Sequence, residues 1–190
     1  LKNVIDIDES FFPFTKDLII KKTGMEKRSG WIYGQMCNLY FSYLQKDKKY
    51  VLTIDSDVFF NKKINFFDES KPIFTTSGEY HEPYFEHMKR LHPNLTRSSE
   101  LSGISHHMLF DKQILEEIFK EVEDYHGKAF YEVFLDEIDN KEKSCCAEYE
   151  IFFHYVMKKY PDKYKLREIK WGNYYNFSIK NFIKYDMVSL

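Results

Sequence analysis

Cysteine is nearly missing from this chain of 190 residues, which holds three: Cys37, Cys145 and Cys146. Thiols at those positions make neither a disulfide framework nor a Cys-x-x-Cys zinc site. They fit buried thiols in a reducing compartment, which points to the cytoplasm. An excess of one charge is missing too. The 28 Lys and Arg stand against 30 Asp and Glu, for a net charge of −2. No strong field therefore draws nucleic acid or an anionic membrane. No apolar run reaches the ~18 residues of a membrane-spanning helix, and no signal-peptide pattern opens the sequence. Repeats, low-complexity tracts and Pro/Gly/Ser-rich linkers are absent. The expectation is one domain over residues 1–190, of a size that buries a core without covalent staples, as a monomer or weak dimer.

What is plentiful is aromatic. The 18 Phe and 15 Tyr lift the aromatic share to 18% within a hydrophobic share of 43%, enough for a globular core. Apolar patterning predicts strands at residues 3–8, 50–54, 72–76 and 165–171. It predicts helices at residues 30–44, 83–91, 111–124, 129–138 and 147–160, with Leu115, Ile118 and Val122 inward. Ser29 is placed to cap the first helix, and Pro161 stops the last. The strand at 50–54 lacks clean alternation, which fits a strand covered on both faces. Residues 92–103 read as a polar loop placed to act as a lid. Strands alternating with helices argue an α/β fold with a mostly parallel central sheet flanked by helices.

The stretch YVLTIDSDVFF, residues 50–60, sets Asp55 and Asp57 where an apolar strand ends. Side chains two apart on extended chain point the same way, and in open α/β sheets ligands bind beyond the carboxyl ends of strands. Two carboxylates so close need a cation between them. Hard oxygen donors suit Mg²⁺ or Mn²⁺, and Mg²⁺ is commonly held by one or two carboxylates plus substrate phosphates. The pair therefore predicts a phosphorylated substrate, with a solvated acidic turn as the plain alternative. The motif also resembles that of haloacid-dehalogenase-type phosphatases, which would make Asp55 a nucleophile. Their pattern wants Thr or Val where Phe59 stands, and no later Gly-Asp-x-x-x-Asp follows.

Four stretches occur in order: SGWIYGQMCNLY, YVLTIDSDVFF, LSGISHHMLFDKQIL and CCAEYEIFFHYV. Together they resemble a family of GT-A-fold nucleotide-sugar glycosyltransferases of bacteria and viruses, and are similar to glycosyltransferases of large chlorella viruses. The resemblance implies a single GT-A-like, Rossmann-like domain that uses Mn²⁺ or Mg²⁺ to transfer a hexosyl or deoxyhexosyl group. The donor would be a UDP-sugar, the acceptor a glycan or other hydroxyl compound, and the place the cytoplasm, or a host's cytoplasm for a virus. GT-A domains begin with a strand and loop that grip the base, and this sequence starts at what reads as the second strand. Either that first piece is missing here or the register of the resemblance is shifted, which leaves the base-binding residues unassigned. Asn38 stands where the family's helix carries Lys or Arg.

Residue roles follow from both sources. Asp57 is the expected direct metal ligand. Asp55 reaches the metal through water, or binds sugar hydroxyls, and Ser56 keeps the turn tight. His106 and His107 follow Gly103, which permits close backbone approach. One of them could be a third ligand and the other bind sugar, or both be capping residues. Inverting transfer needs a base on the acceptor. Glu148, with Glu150 second, sits in a first helical turn whose dipole favours an ionised carboxylate, where the resemblance places an acid below the transferred sugar. Trp31 and Gln35, four apart on one helical face, could meet the donor, and Arg28 the diphosphate. Core and surface roles remain equally open for these three. Polar residues between Ser77 and Ser102 are candidates for an acceptor site. A non-catalytic nucleotide-sugar-binding module stays as a third reading.

Overall fold

The computed structural model describes residues 6–45, 47–173 and 184–189. Helix α1 (Lys16–Thr23) opens at Thr15, whose Oγ1 accepts the Leu18 N–H at 3.1 Å. Helix α2 (Ser29–Leu44) carries apolar side chains almost all round and buries Ile32, Met36 and Leu39 completely. Ser29 does not cap it. That residue is already helical, and its Oγ donates back to the Glu26 carbonyl at 2.8 Å.

Strand β1 (Tyr50–Ile54) pairs antiparallel with β5 (His107–Asp111), with Ile54 opposite His107. The strand covered throughout is β5, not β1. Val51 and Thr53 of β1 are buried, but Ile54 is 44% exposed at the site end. Strand β2 (Val58–Phe60) pairs antiparallel with β8 (Met187–Ser189), which pairs parallel with β7 (Trp171–Asn173). Strand β3 (Phe67–Asp68) pairs antiparallel with β4 (Lys71–Thr76), which pairs parallel with β6 (Lys165–Glu168). The fold is mixed α/β, as expected. The single, mostly parallel central sheet is not what the described residues form: they make three small sheets of mixed orientation. Only β3 and β4 meet across a tight chain reversal; the other antiparallel pairs, β1–β5 and β2–β8, join segments far apart in the sequence. The strand read at 165–171 divides into β6 and β7, which join different sheets. Of the strand read at 3–8, residues 3–5 lie outside the described residues, and residues 6–8 are not strand.

Helix α3 (Glu82–Leu91), α4 (Lys112–His126), α5 (Phe130–Asp136) and α6 (Glu148–Lys159) complete the order. Leu115, Ile118 and Val122 of α4 face inward as expected. Helix α6 is buried from Glu148 to Val156, with α2, α3 and α4 packed on it. Phe152 and Phe153 are fully buried there, each contributing about 1.5–3 kcal/mol by leaving water. A helix that starts inside the core carries its first-turn acids in with it, and this sets the chemistry of the site. Among the described residues no helix is long and apolar enough to cross a membrane.

Candidate functional site

Strand β1 runs out at Ile54, and the chain turns through Asp55, Ser56 and Asp57 into β2. The turn closes with the Val58 N–H on the Asp55 carbonyl at 3.2 Å. Beyond it lies a cavity of about 480 Å³. Trp31, Gln35 and Asn38 of α2 form one wall, the Asp55–Asp57 turn a second, and Glu148 and Tyr149 of α6 a third. Gly30 and Gly34 of α2 line the cavity too. Four acidic side chains line the space, from Asp55, Asp57, Glu79 and Glu148, with burial raising the pKa of the two glutamates. His106 is there too, but no Lys or Arg.

The two aspartates differ. The Asp55 carboxylate is held on both oxygens: Tyr149 Oη donates to Oδ1 at 3.2 Å, and His106 Nδ1 lies 3.0 Å from Oδ2. Its N–H bonds the His106 carbonyl at 3.0 Å, continuing the β1–β5 ladder by one residue. Asp57 and Ser56 are exposed, and Asp57 makes no hydrogen bond or ion pair among the described residues. Asp57 is thus the carboxylate left open to a ligand. Among the described residues no group of three or more His, Cys, Asp or Glu forms a metal cage. A pair of carboxylates still suits a cation that brings substrate oxygens with it.

The two histidines part company. His106 has φ of 59°, a strained left-handed conformation for a residue with a Cβ. That twist turns its ring onto Asp55, edge-on to Trp171 at 4.8 Å between centroids. His107 points the other way. It is buried between Phe60 and Phe66, with Nε2 3.0 Å from Thr75 Oγ1. Burial, then the nearby Arg167 charge, pushes its pKa down to about 4, so it stays neutral. Strand alternation separates the pair, and His107 does not reach the cavity as a ligand.

The acids of α6 part in the same way. Glu148 Oε1 accepts from Asn38 Nδ2 at 2.7 Å, and the Glu148 N–H is capped by Gln35 Oε1 at 3.1 Å. The dipole of α6 does not keep Glu148 ionised. Burial pushes its carboxyl up to about 8; the Asn38 hydrogen bond opposes this, and the Asp55 charge adds to the rise. Glu150 is no catalytic candidate by position. Fully buried, it accepts from Ser102 Oγ at 2.7 Å and from the Gly103 N–H at 3.0 Å, with His154 Nε2 at 3.4 Å. It ties the segment 92–103 to α6, and Ser98 adds a second tie through the His154 carbonyl at 2.8 Å. The segment expected to act as a lid is therefore anchored along its length. Gly103 serves the same contact and not a ligand: a Cβ there would lie 2.5 Å from Phe153 Cβ.

Gln35 and Trp31 line the cavity as expected, with the Gln35 amide oxygen committed to its capping role. Arg28 is not in the lining. Its guanidinium stacks 4.0 Å from the Trp31 ring centre, and its Nε donates to the Lys143 carbonyl at 2.8 Å. Sequence reasoning missed Tyr149, whereas Glu79 and Tyr84 belong to the polar residues between Ser77 and Ser102 expected at an acceptor site. Tyr149 lies between two acids that were singled out, but the side chain that fixes Asp55 carries no mark in the sequence. Comparison of the chain with family models, curated proteins and solved structures returns no match.

Proposed function

We infer that this protein is a metal-dependent glycosyltransferase that moves a hexosyl or deoxyhexosyl group from a UDP-sugar to a hydroxyl of a glycan or other acceptor, on a GT-A-like domain. One observation carries the reading. A cavity of about 480 Å³ joins the Asp55–Asp57 turn, the Trp31–Gln35–Asn38 face and Glu148, and its lining is acidic without Lys or Arg. Its volume falls within the ~300–1,000 Å³ of small-molecule sites. Such a lining repels a diphosphate on its own and accepts one that arrives with a divalent cation. Asp57, exposed and unbonded, would hold Mn²⁺ or Mg²⁺ directly, with Asp55 behind it. When bound, the cation neutralises the diphosphate and eases its departure as leaving group. Tyr149 and His106 fix Asp55 so that the turn keeps its shape. The Trp31–Gln35 face would receive the donor. Glu148 takes the acceptor proton once it has lost its own, in an inverting transfer.

That last requirement sets the pH dependence. A base with a pKa of about 8 is active in its ionised form, so the rate should rise with pH and level off above about 8. The test is UDP release from a set of UDP-sugars with Mn²⁺, by wild type and Glu148→Gln. Loss of one base costs roughly 10²–10⁴-fold in rate. A wild-type rate in Glu148→Gln, or a product that keeps the donor's anomeric configuration, removes the base and the inverting course. A second reading, a non-catalytic nucleotide-sugar-binding module, is favoured by the protonated state of Glu148 near neutral pH. UDP binding without turnover across the panel would select it. The phosphohydrolase reading loses ground because both oxygens of its required nucleophile, Asp55, are held in hydrogen bonds.

A further inference from the structure

A second cavity, of about 680 Å³, lies against the first. The two meet along a thin wall. Gly78 lines the second and Glu79 the first. His106 of the first packs edge-on against Trp171 of the second, at 4.8 Å between ring centroids. The second cavity differs in character. Its aromatic surface comes from Trp171 and Tyr185, and its charge from Lys170 and Lys184, opposed by Glu168 alone. The first cavity holds four acidic side chains and no Lys or Arg. Neither ammonium of the second makes a close ion pair among the described residues, though the Lys170 charge acts on the Asp186 carboxylate. The backbone beneath is built firmly: the Asp186 N–H bonds the Lys170 carbonyl at 2.7 Å, and the Lys170 N–H bonds Asp186 Oδ2 at 3.0 Å.

An indole beside a phenol offers a flat apolar surface with polar groups at its edge, which suits the C–H face of a pyranose ring and its hydroxyls. Two exposed lysines, Lys184 and the Lys170 that shares the Asp186 carboxylate with Lys62, add a preference for a negative charge. We propose that the second cavity binds an acidic saccharide, a pyranoside that carries a carboxylate. Its role as acceptor rests on the glycosyltransferase reading, whereas the binding itself does not. A neutral sugar would make no use of the Lys184 charge. A bare phosphate would leave the aromatic surface uncovered.

The chain contains two tryptophans, Trp31 and Trp171, and they line different cavities. Protein labelled with 5-fluorotryptophan therefore gives one ¹⁹F signal for each site, and either Trp31→Phe or Trp171→Phe assigns both. Wild type is titrated with trigalacturonic acid, with maltotriose as its neutral counterpart, and with inorganic phosphate. The expected result is a saturable shift of the Trp171 signal by trigalacturonic acid, at least about fivefold tighter than by maltotriose. The double variant Lys170→Gln/Lys184→Gln should lose that preference while the Trp31 signal stays in place. No saturable shift at Trp171, equal affinity for both sugars, or a response to phosphate alone overturns the proposal. UDP with Mn²⁺ is titrated in parallel. A silent Trp31 signal there counts against the glycosyltransferase reading and leaves the saccharide site standing.

Discussion

Asp55 and Asp57 are two residues apart and differ in their contacts. Asp55 accepts from Tyr149 and meets His106, so its removal leaves a phenol and an imidazole without their partner. Asp57 touches no described group that depends on it. Asp55→Ala should therefore cost about 1–3 kcal/mol of stability, whereas Asp57→Ala should stay within about 0.5 kcal/mol of wild type. Urea unfolding of both variants checks this, and equal losses would remove the division of roles. Glu148 carries a pH signature of its own. Its pKa is raised from 4.5 to about 8 by burial, so the folded state prefers the protonated acid. The stability this contributes is complete below pH 4.5 and is lost as the pH rises towards 8. Glu148→Gln has no such proton to lose. The gap between the melting temperatures of variant and wild type should move in the variant's favour from about pH 5 to about pH 8. A constant gap across that range would mean that Glu148 is ionised in the folded protein.

At the scale of elements, α6 organises the site because it begins in the core. Glu148 turns toward the cavity, and Glu150, two residues on, turns toward the segment 92–103. Glu150→Gln should loosen that segment: faster amide exchange at Ser102 and Gly103 is expected, and unchanged exchange would contradict the tether. Gly103→Ala forces a methyl against Phe153 and the Tyr149 carbonyl, 3.0 Å away, and should cost about 1–3 kcal/mol. Much of this order was legible. Helices α2, α3, α4 and α6 and strand β1 emerged from apolar periodicity and terminal residues, because such signals are local. Strand β5 did not emerge. Its HMLFD is buried at every position, so it shows no alternation, and its two histidines looked like paired ligands. Strand pairing was misread for another reason. Whether β1 meets β5 antiparallel depends on where the intervening 52 residues take the chain, and periodicity carries no trace of that. In the site, Asp55, Asp57, Gln35, Trp31 and Glu148 were legible through charge, spacing and helical face. The direction of His107 and Glu150 was not, because it depends on which face of a buried element meets the cavity.

For the whole molecule, charge is distributed more tellingly than its total of −2 suggests. One cavity has four acidic side chains and no Lys or Arg, and its neighbour carries two lysines against one glutamate. An acidic cavity can take an anionic nucleotide only with a cation of higher charge, and that coupling is the centre of the account. Isothermal titration calorimetry of UDP, with Mn²⁺ and then in EDTA, tests it most directly. The account predicts saturable binding with Mn²⁺, none in EDTA, and none by Asp57→Ala even with Mn²⁺ present. UDP binding of equal strength in EDTA, or by Asp57→Ala, would contradict it.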